Sequence, residues 1–152
     1  MTLERRYWDS DCFLGWLKSE EGKVELCRQV LNRAAAGDIQ IITSTLTIAE
    51  VLDLRGHEKI GKNRRQQVID FFKKSYITPV TITRRIAENS RELVWDHGIK
   101  PKDALHVATA IHAQITLLNT FDSGLISKSK LIGNPPLVIE KPRLDQPELP
   151  GT

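Results

Sequence analysis

The sequence predicts an α/β protein, a three-layer α/β/α sandwich around a central, mostly parallel sheet. Three observations predict it. Short β-rich runs alternate with amphipathic stretches of ten or more residues, and strands separated by such helices pair in parallel through right-handed crossovers. Of 152 residues, 40% are apolar and 27% charged, which suits one globular domain with a core that needs no metal or disulfide staple. The acidic residues fall where the β-rich runs end, the edge at which open parallel sheets gather reactive groups.

Taken in order, residues 5 to 8 end in Tyr7-Trp8 before Asp9-Ser10-Asp11 and read as the first strand. Val24, Cys27, Val30, Leu31 and Ala34 follow the helical period up to a stop at Gly37. Ile39 to Thr43 is the second strand, ending at Ser44, which caps a helix predicted over Thr45 to Leu54. On that helix Ile48, Val51 and Leu52 make the expected core stripe, and Glu50 points away from it. Val68, Ile69, Phe71 and Phe72 give the next segment an apolar stripe. Tyr76 to Thr83, with Pro79 inside it, is an edge strand because proline cannot donate to a ladder. Ile86, Ser90, Leu93, Val94 and His97 form a helix up to Gly98, and Pro101 starts another whose Asp103 to Ala113 stretch has almost no polar face. Ile115 to Asn119 is a buried strand and Leu137 to Glu140 the last. The domain spans residues 1 to 140, and the proline-rich remainder, 141 to 152, is expected to be a tail.

The longest apolar runs are a few residues, against the ~18 that a membrane span needs, and MTLERRYWDSD lacks a signal-peptide core. A cytoplasmic protein without membrane association is expected. Cys12 and Cys27 lie in no disulfide or metal spacing and read as reduced, buried thiols. No Walker or dinucleotide phosphate loop is present. The net charge of +3 divides unevenly, with seven basic and two acidic residues between Arg55 and Lys74. That stretch is either a solvated helix face or a phosphate-binding surface.

Asp9 follows the first strand, Asp122 follows the apolar strand ending at Thr120, Asp103 opens the buried helix, and Glu50 lies six residues beyond Ser44. Each acid alone also fits a cap, a helix dipole or plain surface. Together at one sheet edge they would repel one another unless a cation or bound protons relieved them, and hard oxygen ligands favour magnesium or manganese.

The arrangement resembles the PIN domain family from about Arg6 to Glu140. The resemblance is carried by YWDSDCFL (7 to 14), STLTIAEVL (44 to 52), KPKDALHVATAI (100 to 111) and LLNTFDSGL (117 to 125). Length and the lack of other domains look like the toxin ribonucleases called VapC. The resemblance implies a metal-dependent endoribonuclease whose metal-binding and catalytic acids are Asp9, Glu50, Asp103 and Asp122. It further implies Mg2+ (or Mn2+), RNA as substrate, a cognate antitoxin and a homodimer. Asp11 departs from the Asn or Ser expected there and reads either as an outer acid, beside Ser44 and Thr120 as hydrogen-bonding supports, or as a side chain turned into the helix that follows. Arg55, Lys59, Lys62, Arg64 and Arg65 are the expected nucleic-acid-binding cations. His106 inside an apolar helix reads as a satisfied core histidine, and Trp8 and Trp95 as core.

Three rivals share these residues. Asp9-x-Asp11 after a strand is similar to the nucleophile pair of haloacid-dehalogenase-like phosphatases, although Phe13 and the missing later acidic pair weigh against it. A PIN fold that only binds partners is opposed by the presence of all four acids. A PIN nuclease acting in RNA maturation or on DNA has the same motifs.

Overall fold

The computed structural model describes residues 3–144. Five strands form one parallel sheet in the order β3-β2-β1-β4-β5, where β1 is Glu4–Trp8, β2 Ile39–Ser44, β3 Ile77–Val80, β4 Leu117–Asn119 and β5 Val138–Glu140. Tyr7 stands opposite Ile42 and Leu118, and Trp8 opposite Asn119, so β1 is central. Pro79 lies in β3, at the sheet edge where its missing donor costs least.

Helices α1 (Ser10–Leu17), α2 (Val24–Ala35) and α4 (Arg65–Phe72) supply one layer, and α5 (Arg84–His97) and α6 (Pro101–His112) the other. The two-residue period of β1 explains why both layers close on it. Trp8 enters the core with Phe13, Leu14, Cys27 and Phe71, whereas Tyr7 enters the core with Ala104, Val107 and Leu118. Phe13 is fully buried and its ring meets Trp8, Phe71 and Phe72 at centroid distances of 5.4, 5.9 and 5.1 Å. Both thiols are buried, and burial pushes the Cys12 thiol well up and the Cys27 thiol up to about 12, which disfavours the thiolate in each.

Helix α3 covers only Thr45–Glu50, shorter than the predicted run to Leu54. Leu52 N–H bonds Ala49 and Asp53 N–H bonds Glu50, so the last turn tightens to the i→i+3 pattern and stops. The inward stripe of α3 is also not the predicted one. Ile48 and Leu52 are each 42% exposed, while Thr47, Glu50 and Val51 are buried. The i, i+3, i+4 spacing of these three is a helical stripe in itself, and packing selected it over the more apolar alternative. Ile48 and Leu52 instead wall an apolar groove of about 660 Å3 with Ile60, Val68, Ile69 and Phe72, rimmed by Lys62, Arg65 and Lys73.

Trp95 is 71% exposed on α5 with the Arg91 guanidinium over its ring, so the core expectation for it fails while that for Trp8 holds. The final stretch begins packed, because Pro142 is buried and the Arg143 carbonyl accepts from the fully buried Arg6 at 2.8 Å. Residues 145–152 of the predicted tail lie outside the described residues. Among the described residues no helix is long and apolar enough to cross a membrane.

Since Phe13 joins α1 to both β1 and α4, Phe13→Ala is expected to destabilise the fold by about 3–5 kcal/mol, read as a shift of the urea midpoint.

Candidate active site

Parallel strands bring their carboxyl ends to one edge, and the order of the sheet reverses between β1 and β4, where such sheets open a crevice. A cavity of about 500 Å3 lies at this edge, lined by Asp9, Ser10, Asp11, Glu50, Leu54, Arg55, Lys100, Pro101, Lys102, Asp103, His106 and Asp122. All four predicted acids and Asp11 therefore line one cavity.

Asp9 directly follows β1 and caps α1. One carboxylate oxygen accepts from Cys12 N–H at 3.3 Å and the other from the Thr120 hydroxyl at 2.5 Å. It is 4% exposed, and burial, followed by the charge of Asp11, raises its pKa from 3.8 to about 7 against the opposing pull of His106, Thr120 and Cys12. Asp122 caps the short helix α7 (Ser123–Ile126) by accepting from Leu125 N–H at 2.9 Å. Its own N–H donates to Thr120 Oγ1 at 3.1 Å, so Thr120 links the two acids that follow β1 and β4. Asp103 sits in the first turn of α6, where burial and then the charge of Asp122 raise its carboxyl.

Glu50, the last residue of α3, is 7% exposed. His106 Nε2 donates to its Oε1 at 2.9 Å and Ser10 Oγ donates to the same oxygen. Burial works to raise this carboxyl, but the His106 and Ser10 hydrogen bonds and the charges of His106 and Lys102 outweigh it and hold the pKa below its ordinary value. His106 Nδ1 meets the Tyr7 hydroxyl at 2.6 Å, so a buried chain runs from β1 through α6 to α3. The core reading of His106 captures its burial and satisfaction, and its partner is the candidate acid itself.

The remaining predicted residues divide. Asp11 faces the cavity and binds His57 Nε2 at 3.0 Å. Ser44 caps α3 by accepting from Leu46 N–H at 3.0 Å, and the hydroxyl that reaches Glu50 is that of Ser10. Of the basic set only Arg55 lines the cavity; Lys62 and Arg65 rim the apolar groove, Lys59 pairs with Asp53, and Arg64 donates to the Leu17 carbonyl. Lys100 and Lys102 stand on the cavity wall instead, on either side of Pro101 in a Lys-Pro-Lys-Asp run, and two cations directly ahead of a predicted acid were the available signal.

The model of the PIN domain matches residues 6–131. The chain belongs to the PIN domain family. This membership sets aside the phosphatase reading, and no curated protein matches the chain. Among solved structures, this PIN domain is similar to Mycobacterium tuberculosis VapC20, described as a sarcin–ricin loop cleaving toxin, at 14% identity and a TM-score of 0.63 over 80% of this chain and 93% of that one. A toxin–antitoxin complex from Klebsiella pneumoniae matches at 24% identity and a TM-score of 0.57 over 78% and 87%. VapBC2 from Rickettsia felis, bound to a DNA fragment from its promoter, matches at 19% and 0.62 over 90% and 98%. At these identities the likeness establishes the PIN fold.

The raised Asp9 carboxyl has a stability consequence of definite sign. Its folded pKa of about 7 exceeds the ordinary 3.8, so its contribution is complete below about pH 4 and is lost as pH rises to about 7. In EDTA, Asp9→Asn is expected to keep the α1 cap and melt above wild type at pH 7.5, with the gap closing at pH 4.5; thermal unfolding by circular dichroism measures both.

Proposed function

We propose that this PIN domain is a metal-dependent endoribonuclease that hydrolyses RNA phosphodiester bonds and acts as the toxin of a type II toxin–antitoxin pair. The observation that supports it most is the convergence of Asp9, Asp11, Glu50, Asp103 and Asp122 on one cavity, with Asp9 raised by burial and the charge of Asp11, and Asp103 by burial and the charge of Asp122. Among the described residues no three His, Cys, Asp or Glu side chains stand as a ready-made metal cage. The donor chemistry nevertheless fits a hard cation, because the ligands are carboxylates whose mutual repulsion a divalent ion relieves. Asp9, Asp103 and Asp122 would hold Mg2+ or Mn2+, with Glu50 on the ion or on the attacking water. When bound, such an ion activates water and neutralises charge on the phosphate.

The protein's own groups perform the rest. Thr120 keeps Asp9 and the Asp122 backbone in register. His106 and Ser10 keep Glu50 ionised and aimed, and a carboxylate held this way orients a water or accepts a hydrogen bond from it. Arg55, Lys100 and Lys102 offer cations to the phosphates on either side of the scissile bond. Lys59, Lys62, Arg64 and Arg65 lie farther along the same segment and would track the strand beyond the cavity. The description of the Mycobacterium tuberculosis structure as a sarcin–ricin loop cleaving toxin supports RNA over DNA, and the neighbouring toxin–antitoxin complexes support an antitoxin partner. The groove of Ile48, Leu52 and Phe72 with its lysine and arginine rim suits an amphipathic acidic segment of that partner. A homodimer belongs to the same reading.

With Mg2+ and single-stranded RNA, Asp9→Asn and Asp103→Asn should each lose more than the ~100-fold that outer partners of a metal site cost, and His106→Gln should lose about 10- to 100-fold. Gel assays of RNA and DNA oligonucleotides measure this. Wild-type rates in Asp9→Asn would sink the assignment, and equal cleavage of DNA would move the substrate. Leu52→Glu is expected to leave cleavage intact while lowering co-purification with a co-expressed antitoxin; unchanged co-purification would remove the groove from the partner reading.

A further inference from the structure

Residues 51–61 run from the end of α3 to the 3-10 turn at Lys62–Arg64 with no regular structure of their own, yet this strap carries Leu54 and Arg55 onto the cavity wall. A turn closes where His57 N–H donates to the Leu54 carbonyl at 3.0 Å, with Gly56 at φ +89 inside it, and Arg55 stands at its tip. Arg55 is exposed, and among the described residues no acid pairs with its guanidinium. What holds the turn is its last member. His57 Nε2 meets Asp11 Oδ1 of α1 at 3.0 Å, and Nδ1 meets Glu20 Oε2 of the α1–α2 loop at 3.0 Å. The ring is 9% exposed, so these contacts are poorly screened. An imidazole donates from both nitrogens only when both carry protons, and each bond to a carboxylate is then charge-assisted.

We infer that His57 is a positioning residue, a two-carboxylate clip that pins the strap to α1 and so presents Arg55 to a phosphate of the nucleic acid at the cavity mouth. Two further contacts run the same way, from Lys18 Nζ to the Glu58 carbonyl at 3.3 Å and from Arg64 to the Leu17 carbonyl, so the chain is fastened to α1 again on the C-terminal side of the turn. Presenting Arg55 from a fixed turn lowers the ordering cost of gripping substrate, and the benefit falls on binding instead of on the chemical step. Asp11 is thereby engaged by His57 rather than left to the acids opposite, which accounts for an acid at this position without making it a ligand of the ion. The inference takes its substrate from the nuclease reading, and its test separates the two.

The test is a double-mutant cycle on binding of a labelled single-stranded oligoribonucleotide in EDTA, by fluorescence anisotropy, alongside KM and kcat with Mg2+. His57→Gln is expected to weaken binding and raise KM by about tenfold while kcat changes by less than about twofold. Glu20→Gln, which lies outside the cavity, is expected to give a smaller loss of the same kind and serves where His57→Gln folds poorly. Arg55→Ala should lose as much as His57→Gln, and the double variant no more than Arg55→Ala alone. A full tenfold loss from His57→Gln in the Arg55→Ala background, or a fall in kcat at unchanged KM, overturns the clip and assigns His57 to Asp11. Non-additive binding in a protein that cleaves no RNA would keep the clip and sink the nuclease reading. Normal cleavage with additive binding would do the reverse.

Discussion

Repulsion among carboxylates at one edge of a parallel sheet is the constraint around which this molecule is built. Two like charges ~4 Å apart cost about 4 kcal/mol at the dielectric of a protein surface, so five acids around one cavity need explicit support. The support is visible at each of them. Asp9 takes one backbone and one hydroxyl donor, Asp122 takes a helix N-terminus, Glu50 takes an imidazole and a hydroxyl, and Asp11 takes His57. Asp103 sits in the first turn of α6 beside the cavity lysines, and burial, followed by the charge of Asp122, raises its carboxyl.

The same supports bind site to core. Tyr7 and Trp8 leave β1 on opposite faces, and each ends in a polar contact: the Tyr7 hydroxyl meets His106 Nδ1, and the Trp8 indole N–H donates to Asn119 Oδ1 at 3.1 Å. Asp9 follows directly and turns the chain into α1. Packing of the two layers therefore determines where Glu50 and Asp9 stand relative to one another. A loss of core packing on either face would reach the acids through one or two side chains.

Much of this was legible in the residues. The strands, their parallel pairing and the four candidate acids follow from alternation, from proline and glycine placement and from the motifs around Asp9, Glu50, Asp103 and Asp122. The orientation of α3 was not legible, because a helix of one and a half turns has two competing stripes and the more apolar one, Ile48 and Leu52, lost to Thr47, Glu50 and Val51. Trp95 misled for a related reason, since an aromatic on a helical stripe signals burial only when something packs against that stripe. Ser10, His57 and the two lysines around Pro101 carried no signal as contacts, their partners being 40, 46 and 37 positions away or on another element.

By itself the sequence determined the fold class, the family and the set of acids, because hydrophobic period and strand-end chemistry are local properties of a chain. Tertiary structure decided which groups neutralise those acids, which cations face them and which apolar residues stay outside. Those choices depend on distances between elements remote in sequence, and only the closed sheet with its two helical layers sets them.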